Sequence, residues 1–548
     1  MRMNSWEPVA QFLAAAGCGL VAGLPSDEPG LLDAAADRRE LEILVARDHR
    51  TAASAAAGYA LMTGRPAVLA STTGPAFTSA VAALHEAASV CAPVVVITTG
   101  VGNELRGQGA FQEVDQGTLV AAIAKWFFTV QDPSQLPWSL RRAVGEAVGG
   151  RPGVAVLEIR DGVLEAVVDG GGWVLAPVER LRSLPAAESL DRAAALVASA
   201  SRPLIVAGGG ARAAGAGPAL ERLSTAAGAA VLATASGRGA VDERHELFLG
   251  LSGLYAAASA RPLVEEADVV VAFGTRLEET MRIGWTNLPD AALVRVDCDP
   301  AAVCGGLPAD VALLGDARLS AEALLERVTA EDACAGWRER VAELKLTLDR
   351  QERPAFERSR VRHTLGVLAD AFPDAVFAQE NGLHDLWGYA YPQLAGNGMR
   401  DYLCPGEQTM MGFGIGAGLG AAIAQRDRTV VVTCGDGALG MSLASLPAAA
   451  DTGGRLLFVV FNDRGFGWPR MHRTAGSRIC DFPRSLDAAR LAEALGGRGW
   501  QVECEADLLD AAARARDALC EPGFALVNVV VSDDQLPPAA RLPELSLP

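Results

Sequence analysis

The sequence has no CxxC pair, no stretch of 18 uninterrupted apolar residues and no dense basic run. Each absence excludes something. With no paired spacing, and in a chain too large to need disulfide staples, the ten cysteines (18, 91, 298, 304, 334, 404, 434, 480, 504 and 520) read as buried free thiols. With no long apolar run, no membrane-spanning helix is expected. The 48 basic residues are outnumbered by 66 acidic ones, and a formal net charge of −18 argues against nonspecific nucleic-acid binding, which needs clustered Lys and Arg. That charge leaves the substrate open, because a local basic pocket can sit in an acidic protein. The opening MRMNSWEPVAQFLAAAGC has no basic segment ahead of a long apolar one, so no signal peptide is expected and the protein is read as cytoplasmic.

What is present is an ordinary globular composition, 50% hydrophobic and 21% charged, over 548 residues. That length suggests about three or four domains. Short apolar runs such as APVVVITT (92–99), ADVVVAFG (268–275) and RLLFVVFND (455–463) alternate with longer Ala- and Leu-rich helical stretches. Runs without polar alternation are buried on both faces, as parallel strands covered by helices are. The expected fold is α/β, three domains each with a mainly parallel sheet, spanning 1–168, 186–330 and 355–548. The Gly-, Pro- and charge-rich segment 167–189 reads as the first seam, and the charged helical segment 331–362 as a bridge across the second.

The strongest chemical signal lies in the third block. Gly435-Asp436-Gly437 closes an apolar strand, a helical stretch follows, and the next strand ends at Asn462-Asp463-Arg464-Gly465-Phe466-Gly467. Strand–helix–strand geometry puts both strand ends on one edge of a parallel sheet, where ligands collect in such folds. Asp436 and Asp463 then share a crevice, and their hard oxygens suit Mg²⁺ on a diphosphate beside a helix N-terminus.

GDG followed by this Asn/Asp pair resembles the cofactor motif of the thiamine-diphosphate enzymes of the acetolactate synthase, benzaldehyde lyase and pyruvate oxidase family. The resemblance implies thiamine diphosphate and Mg²⁺, with Asp436, Asp463 (rather than Asn462, and where Asn is usual) and the Gly465 carbonyl as metal ligands. It implies cofactor contacts from Gly435, Gly437 and Ala438. Thr409-Met410-Met411-Gly412-Phe413-Gly414 resembles the family's TMGFG segment, in which the Thr409 carbonyl would hold the aminopyrimidine and Met411 would prop the cofactor in its bent form. Gly382, Leu383 and His384 fall where the family contacts the diphosphate; His384 can serve, whereas Leu383 cannot hydrogen-bond as the family's Gln does. In the first block, GYALMTGRPAVLASTTGP (58–75), which includes Gly74, and GQGAFQEVDQ (107–116) resemble the pyrimidine-binding domain. Phe111 and Gln112 match a segment that lines the reacting carbons. The second block, with VAGGG (206–210), resembles the middle domain, where a bound FAD is not expected. A homodimer or dimer of dimers is implied, each site shared between the first domain of one chain and the third of its partner.

One position departs from the family. Its glutamate, whose carboxyl bonds N1′ of the aminopyrimidine, should stand nine residues before Gly58, and His49 stands there. Three readings stay open. His49 faces N1′ as a suitable tautomer or as imidazolium; a one-residue slip brings Asp48 there instead, at the cost of flipping alternate side chains; or activation is impaired. The implied function is a carboligase using a 2-oxo acid donor, by nucleophilic catalysis through the cofactor. The alternatives are a 2-oxo acid decarboxylase or acyloin lyase, and a catalytically silent cofactor-binding regulator. Arg470, His472 and Arg473, after the metal loop, are candidates to hold an acidic substrate or else form a solvated face.

Overall fold

The computed structural model describes residues 6–166, 173–257, 260–285, 290–328, 334–350, 352–388, 391–392, 394–396, 398, 401–474 and 476–531. Residues 167–172 of the first seam, 331–333 of the second and the expected domain end at 548 lie outside the described residues. Among the described residues the apolar runs form 18 parallel strands in three six-stranded sheets.

The first sheet holds β1 (Leu20–Gly23), β2 (Glu42–Val45), β3 (Ala67–Ser71), β4 (Val94–Gly100), β5 (Trp126–Val130) and β6 (Val154–Arg160), ordered β2-β1-β3-β4-β6-β5. The second holds β7 (Pro203–Ala207), β8 (Ala230–Ala233), β9 (Phe248–Leu251), β10 (Val269–Phe273), β11 (Ala292–Asp297) and β12 (Val311–Leu314), ordered β12-β11-β10-β7-β8-β9. The third holds β13 (Val376–Gln379), β14 (Tyr402–Leu403), β15 (Thr429–Gly435), β16 (Arg455–Asn462), β17 (Arg498–Val502) and β18 (Gly523–Val530), ordered β14-β13-β15-β16-β18-β17. Seven of the eight β16 residues are buried, as a strand covered on both faces must be.

Each order reverses near its middle, between β1 and β3, β7 and β10, or β13 and β15, leaving a crevice outside the carboxyl ends of those two neighbouring strands. In the third sheet that point lies between β13 and β15, which are followed by Glu380 and Asp436.

The first and third domains pack through two small-residue helices, His49–Thr63 and Phe413–Ala424. A methyl added to Gly420 would sit 1.9 Å from the Ala55 carbonyl oxygen, and one on Gly58 would sit 2.1 Å from that of Ala417. Only glycine permits this backbone approach. The helix Ala335–Asp349, in the second seam, lies on the second sheet: Trp337 Nε1 donates to the Pro203 carbonyl (3.0 Å) and Lys345 Nζ to that of Phe248 (3.2 Å). Among the described residues no helix is long and apolar enough to cross a membrane.

Candidate functional site

At the crevice of the third sheet, Gly435 pairs with Phe461, so Asp436 and Asp463 leave adjacent strands almost side by side. Asp436 begins the helix Asp436–Met441 and is 2% exposed. Both of its carboxylate oxygens are buried, and neither makes a hydrogen bond of ordinary length. Burial, then the facing Asp463 carboxylate, pushes its carboxyl up to about 7. Two carboxylates held together in this way, with the Gly465 carbonyl within 3.5 Å of the point where a methyl on Gly437 would sit, form an oxygen donor set whose only facing cation among the described residues is Arg470, on Asp463. That set fits a hard divalent cation carrying a diphosphate.

Asn462 is otherwise engaged. Its Nδ2 donates to the Leu486 carbonyl (3.1 Å) and to Asn528 Oδ1 (3.2 Å), and its Oδ1 accepts from the Arg464 amide (3.3 Å). Arg470 pairs with Asp463 (3.2 Å) and Asp481 (3.0 Å), which ties it into the same loop, while His472 and Arg473 are exposed.

His384 is buried against Phe461, and its Nε2 donates to the Thr433 carbonyl (3.3 Å). Burial lowers it to about 4, so the ring is neutral at physiological pH with Nδ1 towards Gly382 and Gly435. Leu383 is half-buried beside the loop of Asp463.

The segment 406–415 carries Thr409 (φ +48°) and Met411 and is clamped from two sides. Glu380, directly after β13, accepts from the amides of Asn381 (2.9 Å), Gly412 (2.9 Å) and Ile415 (3.1 Å). It thereby satisfies donors at the start of the helix Phe413–Ala424, which have no partner within the helix. Glu86, in the helix Pro75–Ser89 of the first domain, accepts from the amides of Gly406 (2.6 Å) and Met410 (2.7 Å). Met411 is partly buried against the core shared by the two domains. Neither glutamate was picked out from sequence. For Glu380 the signal was an acid ending an apolar strand; Glu86 gave none beyond a charge in an apolar helix.

Burial pushes Glu86 from 4.5 up to about 7, against the pull of its amide donors. The folded state therefore holds its proton more tightly than the unfolded chain does. Its favourable contribution is complete below pH 4.5 and is lost as pH rises through about 7. Glu86→Gln should remove this part of the pH dependence, on the order of 3 kcal/mol between pH 4.5 and 7 at about 1.4 kcal/mol per unit. Urea denaturation of both proteins at pH 5 and 7.5 measures it; identical slopes would exclude Glu86 as the titrating group.

In the first domain, Asp48 caps the helix His49–Thr63, its carboxylate accepting from the Thr51 amide (2.8 Å) and hydroxyl (2.6 Å). His49 is the first helical residue, half-buried, and burial lowers its pKa against the opposing effect of Asp48. The start of this helix meets the third domain of the same chain: Arg50 donates to the Met441 carbonyl, and Thr51 bonds Ser445 (2.9 Å). Phe111 is 84% exposed. Gln112 adopts φ +58° and lies against Gly74 (φ +72°), where a methyl would fall 2.7 Å from the Gln112 carbonyl oxygen. Gly74 and Gln112 thus touch, with Phe111 exposed next to Gln112 in sequence.

The second sheet has its own crevice. A cavity of about 150 Å³ lies outside β7 and β10, lined by Gly209, Gly210, Gly274, Arg276 and Tyr255, and reaches Thr409 of the clamped segment.

Comparison with known proteins agrees with this geometry. Residues 3–119 match the thiamine pyrophosphate enzyme N-terminal TPP binding domain, 190–324 the central domain, and 380–529 the C-terminal TPP binding domain. The chain is 31% identical to the acetolactate synthase isozyme 2 large subunit of Escherichia coli (strain K12), over 91% of each chain. It is 27% identical to a probable acetolactate synthase large subunit of Methanocaldococcus jannaschii, covering 100% of this chain and 95% of the relative. It is 28% identical to the acetolactate synthase large subunit of Corynebacterium glutamicum, covering 97% and 87%.

Proposed function

The chain belongs to the acetolactate-synthase-like thiamine pyrophosphate enzymes, and from that premise we propose a carboligase that moves an acyl unit from a 2-oxo acid donor to an acceptor carbonyl. It is a thiamine-diphosphate-dependent enzyme acting on carbon–carbon bonds. When bound, the cofactor supplies a nucleophilic carbon and an electron sink. The observation that carries the proposal is the buried Asp436 carboxylate, lacking ordinary hydrogen bonds and facing Asp463 at the switch point of the third sheet.

On this reading Asp436, Asp463 and the Gly465 carbonyl hold Mg²⁺ on the diphosphate. Gly435, Gly437, Ala438 and neutral His384 line its anionic end. The Thr409 carbonyl and Met411 set the aminopyrimidine in place, and the two buried glutamates keep their segment rigid. His49 serves N1′: β2 runs in unbroken register with β1 from Leu20–Glu42 to Gly23–Val45, and the helix cap already uses Asp48. Arg470 steadies the metal loop. A flavin in the second domain is not part of this reading.

The surface of Gly74, Phe111 and Gln112 completes the site of a second copy, so the working unit is a homodimer or dimer of dimers. Diluting the protein to monomer should then abolish turnover, and cofactor should shift the equilibrium towards dimer by mass action. Sedimentation combined with activity tests this; a fully active monomer rules out the shared site. The reaction itself is tested with thiamine diphosphate, Mg²⁺ and a panel of 2-oxo acids and aldehydes, with products identified by mass spectrometry. CO₂ release together with a new C–C product is expected.

A further inference from the structure

Residues 101–115 join β4 to the helix Gln116–Val120 and carry Phe111 and Gln112. Most of this loop is exposed, including both of those residues. Gln112 holds φ +58°, a left-handed conformation that a residue with a side chain keeps only where its surroundings impose it. Inside the loop, Glu113 accepts from the amides of Gly107 (2.7 Å) and Ala110 (3.3 Å). The two ends of the loop are tied to β6. At the entry, Arg160 Nη1 donates to the Val101 carbonyl (3.0 Å). At the exit, Gln116 Nε2 donates to Glu158 Oε2 (2.8 Å) and to the Thr99 carbonyl (2.9 Å), and its Oε1 accepts from the Thr98 hydroxyl (2.9 Å). Glu158 and Arg160 pair with each other (3.1 Å), and both are buried. One buried ion pair therefore holds both ends of an exposed loop.

Packing alone does not call for charge at these two positions, because a buried ion pair is commonly no more stable than apolar residues of similar volume. What an apolar pair cannot do is bond the Val101 carbonyl and the Gln116 side chain. The fit is close as well: a methyl on Gly100 would fall 2.7 Å from Glu158 Oε1, so the end of β4 runs directly over the pair. Resting on the reading above, in which Phe111 and Gln112 line the reacting carbons of a shared site, we propose that Glu158, Arg160 and Gln116 are positioning residues. They fix the direction in which the loop leaves the sheet and so hold Gln112 where the acceptor carbonyl is met. Their effect runs through Gln112, and so falls on bond formation and not on activation of the cofactor.

The test separates positioning from stability. Arg160→Met alone strands the Glu158 charge and should lower the melting temperature. Glu158→Leu combined with Arg160→Met removes both charges, so this double variant should melt no earlier than the unaltered protein. Its loop should nevertheless loosen, and hydrogen exchange of residues 101–116 in the holoprotein, read by mass spectrometry, should quicken. Formation of the C–C product should fall by about 10- to 100-fold, the scale of a displacement of about 1 Å at a reacting centre. Exchange of the cofactor's C2 proton should stay near normal, and Arg160→Lys, which keeps the charge and a donor, should recover part of the loss. Unchanged hydrogen exchange in the loop of the double variant overturns the proposal. So does faster loop exchange with product formation intact, since the pair is then structural only. A parallel loss of C2 exchange overturns it too, because the damage is then general. If the unaltered holoprotein gives no C–C product from any donor, the carboligase reading fails. Hydrogen exchange of the loop, which needs no turnover, then decides the pin by itself.

Discussion

Asp436→Asn should weaken Mg²⁺-dependent binding of thiamine diphosphate by roughly 100-fold or more, while the apoprotein becomes more stable. The two effects have one cause. At neutral pH the buried Asp436 carboxylate faces Asp463, and both burial and that neighbour raise its pKa from 3.8 to about 7. A group whose folded pKa is raised loses stability as pH rises from its unfolded value through its folded one, so at pH 7.5 the loss is complete and neutralising the group should stabilise the apoprotein by about 1 kcal/mol or more. The same charge is what a cation on the diphosphate requires, and losing even the supporting partner of a metal ligand typically costs about 10–100-fold in affinity. Calorimetry for binding and a thermal melt of the apoprotein should therefore move in opposite directions. Asp463→Ala should show the binding loss. Asn462→Ala should lower stability through its lost bonds to Leu486 and Asn528, with the metal ligands left in place. Unchanged cofactor affinity in Asp463→Ala would remove Asp463 from the metal site.

The second large effect is expected at His49. His49→Ala should slow exchange of the cofactor's C2 proton by about 100-fold, the lower scale of a positioned acid–base group. His49→Glu, which restores the carboxylate that the family resemblance implies at this position, should accelerate it. Overall turnover need not follow, because later steps can be adapted to an imidazole. Asp48→Ala is the control with structural meaning. Its carboxylate caps the helix His49–Thr63, and deletion should cost about 1 kcal/mol of stability while exchange stays near normal. NMR of C2–H/D exchange on the three variants separates these outcomes. Lost exchange in Asp48→Ala with normal exchange in His49→Ala would reverse the assignment.

The two strand ends that carry Asp436 and Asp463 were legible in sequence because they are local: an apolar run, a glycine turn and a helix lie within 30 residues, and parallel pairing fixes what they face. The three-sheet architecture was legible for the same reason, from runs such as VVVITT and LLFVVF that carry no polar alternation. Glu86 was not legible. Its partners, Gly406 and Met410, lie more than 300 residues away on another domain, and no local pattern marks a buried carboxylate that completes a distant turn. The small apolar cluster between the second and third domains was equally hidden, since Leu254 and Ile283 meet Leu383 and Trp468 only once the two domains pack. Leu383 did stand out in sequence as unable to hydrogen-bond, and the fold gives that feature its surroundings. Arg470 illustrates the reverse case: its nearness to the metal loop was visible, but its engagement with Asp463 and Asp481 required the folded loop.

The central claim is that this chain makes a carbon–carbon bond between two carbonyl carbons. It is tested most directly by ¹³C NMR of the holoprotein with thiamine diphosphate, Mg²⁺, a 2-oxo acid labelled at its carbonyl carbon and an acceptor labelled likewise. The account predicts CO₂ release from the donor and a product showing one-bond ¹³C–¹³C coupling between the two labelled carbons. CO₂ release with the label recovered only in a free aldehyde, or no consumption of any donor by cofactor-loaded protein, would contradict it.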